Sequence, residues 1–312
     1  MNERPSTDEI ADETGREAKA RTTGLFDRAA ETYDQVGVDF FSIFGERLVQ
    51  LAALSPGERV LDVGCGRGAV LFPAAQAVAP GGSVLGIDLS PAMVERCAAD
   101  VAARGLDGVE VRVDDAEHPE VAPGSFDAVL AGLVIFFLPD PGAALDSFRT
   151  ALAPDGRLAM TTFGAEDDRF APVFGAVAAH IPQGPGADGD DGVDGVDGVD
   201  DGVDDGEHGV PDRPARAQDG PFAGSGSITA LLGEHGFSSV DHLEVDYGIE
   251  FRDPEHWIEW SWSHGARQLW EMLDDADRPA AHATAVEALS SLAEPDGSLL
   301  HQWRVRYTIA RR

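Results

Sequence analysis

Short apolar runs alternate with segments of helical periodicity through the middle of the chain. The apolar runs lie at 58–63, 83–88, 109–113, 126–131 and 156–163. Helical segments fall between them, and the one that begins at Ser90-Pro91 has proline in its first turn and ends at Gly105. Strands that are apolar along their length and are joined by helices are typical of parallel sheets with helices on both faces. The alternation predicts an α/β fold with a doubly wound, mostly parallel, Rossmann-like sheet.

Apolar runs at both ends of the chain extend this pattern. Runs at 240–251 and 303–310 bring the predicted sheet to seven strands, with a helical segment at about 254–294 between them. Before the first strand, apolar residues recur at helical spacing from Leu25 to Leu54. That spacing predicts two short helices or one broken helix in front of the sheet.

Two segments fall outside the folded pattern. Residues 1–20 are polar and mixed in charge, so we expect them to be disordered. Residues 184–210 consist almost entirely of Gly, Asp and Val, which predicts a disordered acidic insertion because so few large apolar groups cannot offset the entropy lost on ordering. Its carboxylates lack the spacing of a calcium-binding loop, so we predict no metal site. Residues 21–183 and 211–312 are expected to form one domain.

Composition restricts the partners and the location that we expect. The chain has 56 acidic and 23 basic residues and a net charge of −33, which repels nucleic acid backbones and anionic lipid headgroups. No stretch approaches the roughly 18 apolar residues of a membrane span, and the N-terminus lacks the apolar core of a signal peptide. With Cys65 and Cys97 as its only cysteines, the chain is expected to be cytoplasmic.

A glycine-rich turn follows the first predicted strand in the string VLDVGCGRGA at 60–69. Glycines permit positive φ values and close backbone approach, and the N–H groups at the start of the next helix can hold a carboxylate or a phosphate. Gly64, Gly66 and Ala69 also satisfy the pattern of dinucleotide-binding turns. The turn alone therefore does not select the cofactor.

Three acidic residues lie at the ends of successive predicted strands. Asp62 stands two residues before Gly64, where a carboxylate repels a pyrophosphate and attracts the ammonium of an amino acid. Asp88 ends the second strand and can accept ribose hydroxyls with either kind of cofactor. Asp115 follows the third strand, where it can accept the exocyclic amine of adenine. Asp62 and Asp115 thus favour an adenosyl amino acid over a dinucleotide.

Five ordered segments resemble the class I S-adenosylmethionine-dependent methyltransferases, and within them the quinone-biosynthesis and natural-product small-molecule subgroup. They are VLDVGCGRG, GIDLSPAMVERC, VDDAEHP, FDAVLAGLVIFFLPDP and LAPDGRLAMTTFG, and the leading FDRAAETYDQVGVDFF is similar to that subgroup's N-terminal segment. The resemblance covers 24–165 well and 220–312 only loosely. It implies S-adenosylmethionine as cofactor and methyl transfer to a small acceptor, which we expect to be aromatic or apolar.

The resemblance also implies a set of cofactor-binding residues. They are Asp62, Gly64, Gly66 and Gly68 around the methionine part, Asp88 and Leu89 at the ribose and adenine, Met93 as an apolar wall, Asp115 and Ala116 at the adenine edge, Ala131, Gly132 and Leu133 facing the sulfonium, and Tyr33 with Phe40-Phe41 as a lid. Leu89, Met93 and Leu133 also suit ordinary core positions. Tyr33 equally suits a helix that packs on the sheet through an aromatic stripe.

The sequence says less about the residues that bind the methyl acceptor. Where members of this subgroup often carry a histidine after the fourth strand, the chain has Ile135-Phe136-Phe137, so we name no catalytic base. Single histidines elsewhere are more often structural; those available are His118, His180, His256 and His264. With Phe136 and Phe137, four tryptophans either line an acceptor pocket, anchor the late helices or form a dimer interface; they are Trp257, Trp260, Trp262 and Trp270.

Two other functions stay open at this point. A nicotinamide-dependent oxidoreductase would use the same glycine turn, although Asp62 and the Asp115-Ala116 pair disfavour it. A methyltransferase-like protein without catalysis would bind the cofactor, or nothing, and act as a regulator or scaffold.

Overall fold

The computed structural model describes residues 7–182 and 220–312, and within them the chain forms a seven-stranded sheet. The strands are β1 Arg59–Val63, β2 Ser83–Asp88, β3 Val109–Val113, β4 Phe126–Gly132, β5 Leu152–Phe163, β6 Ser238–Phe251 and β7 Leu299–Arg311. Their order across the sheet is β3-β2-β1-β4-β5-β7-β6, and β7 pairs antiparallel with both β5 and β6. The remaining neighbours pair in parallel. The predicted α/β fold is therefore confirmed.

Helices cover both faces of the sheet. They are α1 Thr7–Ala29, α2 Phe41–Ala52, α3 Leu71–Val78, α4 Pro91–Arg104, α5 Pro141–Ala151, α6 Ala171–Ala178, α7 Ser225–Glu234, α8 Pro254–Trp262, α9 Arg267–Glu271 and α10 Arg278–Ser290, with a 3-10 turn at Ile135–Phe137. None of these helices is long and apolar enough to cross a membrane.

The core lies on both sides of the sheet because side chains alternate along each buried strand. On β1, Val60 joins the apolar cluster that contains Leu48 of α2 and Leu71 of α3. The neighbouring Leu61 points to the other face and joins the cluster that contains Leu145 of α5. Burial on both faces explains why β1 and β4 are apolar almost throughout.

The direction of the strand order reverses between β1 and β4. The chain moves outward from β1 through β2 to β3 and then returns to place β4 on the other side of β1. In open α/β sheets, ligands bind beyond the carboxyl ends of the strands at such a reversal. The residues that follow β1, β2, β3 and β4 are therefore the candidates for contact with a ligand.

The N-terminus differs from the sequence prediction. Residues 1–20 were expected to be disordered, but α1 begins at Thr7. Asp27 of α1 accepts hydrogen bonds from the Ser90 hydroxyl (2.5 Å) and the Ala92 amide (3.1 Å), so the helix docks on the start of α4. These long-range contacts supply the stabilisation that local composition did not reveal. The predicted acidic insertion at 184–210 lies outside the described residues.

Candidate active site

A cavity of about 560 Å³ opens at the carboxyl edge of the sheet. Twelve of the fifteen residues proposed from sequence for the cofactor or its lid line it, namely Tyr33, Phe40, Phe41, Gly64, Gly66, Asp88, Leu89, Met93, Asp115, Ala116, Gly132 and Leu133. Asp62, Gly68 and Ala131 do not line it. We call the part of the cavity formed by Gly64, Gly66, Asp88 and Asp115 the strand-edge end.

The glycine turn is shaped by close contacts on both sides. Gly64 has φ of +64° and Gly68 has φ of +90°, values that side-chain-bearing residues rarely adopt. A Cβ atom on Gly64 would lie 2.4 Å from Val134, and one on Gly68 would lie 2.4 Å from the Phe72 ring. Gly68 therefore lets the turn close over Phe72 without lining the cavity itself.

Asp62 is a buried carboxylate without partners. The residue is 1% exposed, and neither carboxylate oxygen has a hydrogen-bond donor. Burial raises the pKa of Asp62 well above its usual range, and the proximity of Cys97 and Asp88 adds to the effect. Unsatisfied buried acceptors of this kind are costly and uncommon. The carboxylate fits a ligand that brings N–H donors, such as the ammonium of an amino acid.

Asp88 joins the glycine turn to α4. Its carboxylate accepts hydrogen bonds from the backbone N–H of Gly66 (2.8 Å) and of Ser90 (2.9 Å). Burial raises the pKa of Asp88, while these two backbone donors act in the opposite direction. Asp88 lines the cavity, so its carboxylate can accept a hydroxyl from a ligand there.

Asp115 is held by a residue that sequence reasoning missed. Lys19 of α1 donates to Asp115 (2.7 Å) and pairs with Glu117 (2.5 Å), and the Glu117 amide donates to Asp115 (2.9 Å). Lys19 lies within residues 1–20, for which the sequence analysis predicts disorder. The helix-forming residues at 16–20, REAKA, were the available signal.

Leu133 directly after β4 has an unusual backbone. Its φ is +52°, in the left-handed region, and its N–H donates to the Thr161 hydroxyl at 2.9 Å. Strained conformations of this kind persist where the surrounding structure holds them, and they occur often at functional sites. With Gly132, the residue brings the backbone after β4 to the cavity wall.

Segments before β1 cover the cavity. Phe26 of α1 lines it, as do Tyr33 in the turn after α1 and Phe40 and Phe41 at the start of α2. The Tyr33 ring stacks on Phe41 with centroids 4.6 Å apart and 15° between planes. Burial raises the pKa of Tyr33 well above its usual range. Residues of the segment expected to form a lid therefore line the cavity, and their role as a lid stays a prediction.

The other part of the cavity is aromatic, and we call it the aromatic end. It is lined by Phe40, Phe41, Phe136, Phe137, Phe163, Phe174, His264 and Trp303. Phe136 and Phe137 lie there as expected. The pocket role considered for Trp257, Trp260, Trp262 and Trp270 is wrong, because none of the four lines the cavity. Their rings pack among the late helices instead, for example Trp262 on Trp270 at 5.8 Å.

The four candidate histidines also differ in whether they line the cavity. His256 bonds to the backbone of Arg252 and Val36, and His180 bonds to Thr284. Of the four, His264 alone lines the cavity. Within the described residues, no group of His, Cys, Asp and Glu side chains could hold a metal ion.

Comparison with known proteins identifies the family. Residues 54–183 match the family described as a methyltransferase domain. The chain is 36% identical over 303 residues to nocamycin O-methyltransferase of Saccharothrix syringae, covering 92% of this chain and 97% of that protein. The chain belongs to the S-adenosylmethionine-dependent methyltransferases and is an enzyme that transfers a methyl group to a small-molecule acceptor.

Further similarities agree with this assignment. Aklanonic acid methyltransferase DauC of a Streptomyces species is 41% identical over 173 residues, covering 53% of this chain and 79% of that protein. The fold is similar to YcgJ of Bacillus subtilis, with a TM-score of 0.53, 14% identity, and 86% and 98% of the two chains covered. These relatives support neither the oxidoreductase nor the non-catalytic alternative.

Proposed function

We propose that this enzyme transfers the methyl group of S-adenosylmethionine to an oxygen of a flat, apolar or aromatic natural-product acceptor. The observation that carries the proposal is one cavity in which the strand-edge end is continuous with the aromatic end. The first offers carboxylates and backbone to a polar cofactor, and the second offers ring faces to an apolar molecule. The names of the nocamycin and aklanonic acid methyltransferases point to acceptors of this class.

We assign the cofactor contacts to the residues at the strand-edge end. Asp62 binds the ammonium, and Gly64 and Gly66 let the backbone approach the methionine part. Asp88 accepts the ribose hydroxyls, Leu89 and Met93 pack on the adenosine, and Asp115 with Ala116 binds the adenine edge. Gly132 and Leu133 lie beside the sulfonium, Tyr33 covers it, and Gly68 keeps the turn closed.

When bound, the cofactor supplies a methyl group on a positively charged sulfur. The protein's part is to align this carbon with the acceptor, since holding two reactants in contact removes much of the entropic barrier. Phe26 and Phe41 each pack a ring against Tyr33, and all three line the cavity; we propose that they keep water from the junction between the two ends. A dry junction favours a reaction in which opposite charges disappear.

Two binding measurements and one assay test the proposal. Isothermal titration should give micromolar affinity for S-adenosylhomocysteine and no heat with NAD. Labelled S-adenosylmethionine should then transfer its methyl group to members of a panel of polycyclic aromatic acids and phenols. Binding of NAD without S-adenosylhomocysteine, or methylation confined to amines, would contradict it.

We also propose a cytoplasmic location without nucleic acid partners. The net charge of −33 supports the second point. Cys65 and Cys97 are free thiols, as expected in a reducing compartment.

A further inference from the structure

His264 occupies the aromatic end in an almost entirely apolar setting. It is 8% exposed, lies between α8 and α9, and contributes to the cavity wall. Its ring centroid is 4.3 Å from that of Trp260, 5.7 Å from Phe41 and 6.1 Å from Phe40. The side chain forms no ion pair with a carboxylate in the described residues.

The hydrogen bonding of His264 defines which ring nitrogen carries the proton. Nδ1 accepts a hydrogen bond from the backbone N–H of Ala266 at 3.0 Å, so it has no proton of its own. Burial lowers the pKa of His264 to about 3, which keeps the ring neutral at physiological pH. In a neutral imidazole with Nδ1 as acceptor, Nε2 carries the hydrogen. Nε2 is buried and has no partner.

This arrangement makes His264 a donor and a poor base. Nδ1 is occupied, and a ring that is hard to protonate does not take a proton from an acceptor hydroxyl. An unpartnered N–H in an apolar wall instead favours a ligand atom that accepts a hydrogen bond.

A second unpartnered donor lies on the same wall. Nε1 of Trp303 is buried without a partner, and Trp303 also lines the cavity. Its ring lies 5.0 Å from Phe40 and 5.9 Å from Trp260, the same two rings that contact His264. Two side chains from distant parts of the chain therefore leave N–H groups unsatisfied at the aromatic end.

We propose that His264 selects the acceptor by donating its Nε2–H to an acceptor oxygen that carries no hydrogen, a carbonyl or a carboxylate. The substrate class is thus a flat apolar molecule with such an oxygen on its edge, an aromatic acid or an enolised 1,3-diketone, bound as its anion. Trp303 supplies a second donor to the same edge. This presupposes the methyl transfer proposed above and specifies its acceptor.

An ionised acceptor accounts for the reaction without a base. A lone pair of the anionic oxygen forms the bond to the methyl carbon, the carbon–sulfur bond breaks, and its electron pair stays on sulfur. The negative charge of the acceptor and the positive charge of the sulfonium cancel, and no proton moves. His264 acts as a specificity-determining residue that holds the acceptor in line.

Matched variants and matched acceptors test this role. His264→Phe keeps a ring and removes the donor, whereas His264→Gln keeps an N–H at similar reach. The acceptors are polycyclic aromatic acids and 1,3-diketones, each paired with a phenol of the same skeleton that lacks the acyl oxygen. We expect His264→Phe to lower kcat/KM about 10- to 100-fold for the acyl members, mainly through KM, and His264→Gln to stay within about threefold.

Controls distinguish loss of the His264 hydrogen bond from misfolding of the variants and from failure of the proposed methyl transfer. Both variants should bind S-adenosylhomocysteine as the native chain does, and Trp303→Phe should reproduce the acyl-specific loss more weakly. Nitrogen-15 spectra of labelled histidine should report Nε2–H. Equal losses for both members of a pair, equal losses in the two His264 variants, a proton on Nδ1, or turnover of no acyl acceptor would overturn the role. Failure of the native chain to bind S-adenosylhomocysteine would instead overturn the proposed function.

Discussion

The two ends of the cavity differ in the kind of buried polar group that lacks a hydrogen-bond partner. Next to the strand-edge end, two residues before Gly64, the carboxylate of Asp62 is an unsatisfied acceptor. At the aromatic end two unsatisfied groups are donors, Nε2 of His264 and Nε1 of Trp303, and the Thr162 hydroxyl on the cavity wall also lacks a partner. Unpaired buried groups are the most costly part of a polar site, and each type favours a ligand of complementary chemistry. This contrast supports the two proposals made above, a donor-bearing cation beside Asp62 and an oxygen-bearing acceptor at the aromatic end.

The largest expected effect comes from filling the strand-edge end. Gly64→Ala forces a positive φ on alanine and brings its Cβ to within 2.4 Å of Val134. We expect it to lower the free energy of unfolding by about 2–4 kcal/mol and to abolish S-adenosylhomocysteine binding in a titration. Gly57→Ala is the matched control because Gly57 has φ of +89° with nothing within 4 Å. If both variants bind equally weakly, close approach at Gly64 is not what the ligand requires.

The next effect separates affinity from stability at Asp62. Asp62→Asn should weaken S-adenosylhomocysteine binding about 10- to 100-fold, because a charge-assisted hydrogen bond to the ammonium is lost. The same change should leave the free protein as stable as the native chain or more so, because it removes an unpaired buried charge. Parallel titration and denaturant unfolding measure the two quantities.

The pH dependence of stability tests whether the fold opposes ionisation of Asp62. Because the pKa of Asp62 is raised in the folded state, this group makes the native protein less stable as pH rises above 3.8, its ordinary value. The stability advantage of Asp62→Asn should therefore grow with pH above that value. An advantage that shrinks as pH rises would show that the folded protein stabilises the ionised carboxylate.

The smallest effect concerns the cover over the strand-edge end. Lys19→Met leaves Asp115 and Glu117 without their cation, so we expect faster amide hydrogen exchange in α1 and S-adenosylhomocysteine affinity lower by about tenfold. Arg28→Met is the control on the same helix, because the Arg28–Glu271 pair is half exposed at Arg28 and contributes about 1 kcal/mol at most. If the two variants show similar amide hydrogen exchange in α1 and similar affinity for S-adenosylhomocysteine, Lys19 does not contribute to the site.

The strand-edge end could be predicted because its information is local. Each of its residues follows a strand within a few positions, and parallel strands deliver their carboxyl ends to one edge of the sheet. Gly64, Asp88 and Asp115 were therefore located from the sequence, and all three line one cavity. Their assigned contacts with the cofactor stay a prediction.

The aromatic end and α1 could not be predicted in the same way. The tryptophans at 257–270 resembled a pocket in sequence, yet their rings pack in the core, and Trp303 on β7 lines the cavity instead. The protonation state of His264 depends on the hydrogen bond from the Ala266 N–H and on burial by Phe40 and Trp260. Phe40 and Trp260 lie far apart in the sequence. Lys19 was missed because the helix-forming signal at 16–20 is weak beside the polar composition of the segment, and the contacts that dock the helix are long-range.

The position of β7 between β5 and β6 has a consequence for assembly of the enzyme. Thr162 and Phe163 pair with Arg306 and Val305, so the wall that carries Trp303 closes only when a strand from the far side of 184–210 inserts beside β5. The β1–β4 neighbourhood needs no such partner. The strand-edge residues therefore come from one continuous stretch of chain before β5, whereas Trp303 reaches the cavity only from the last strand.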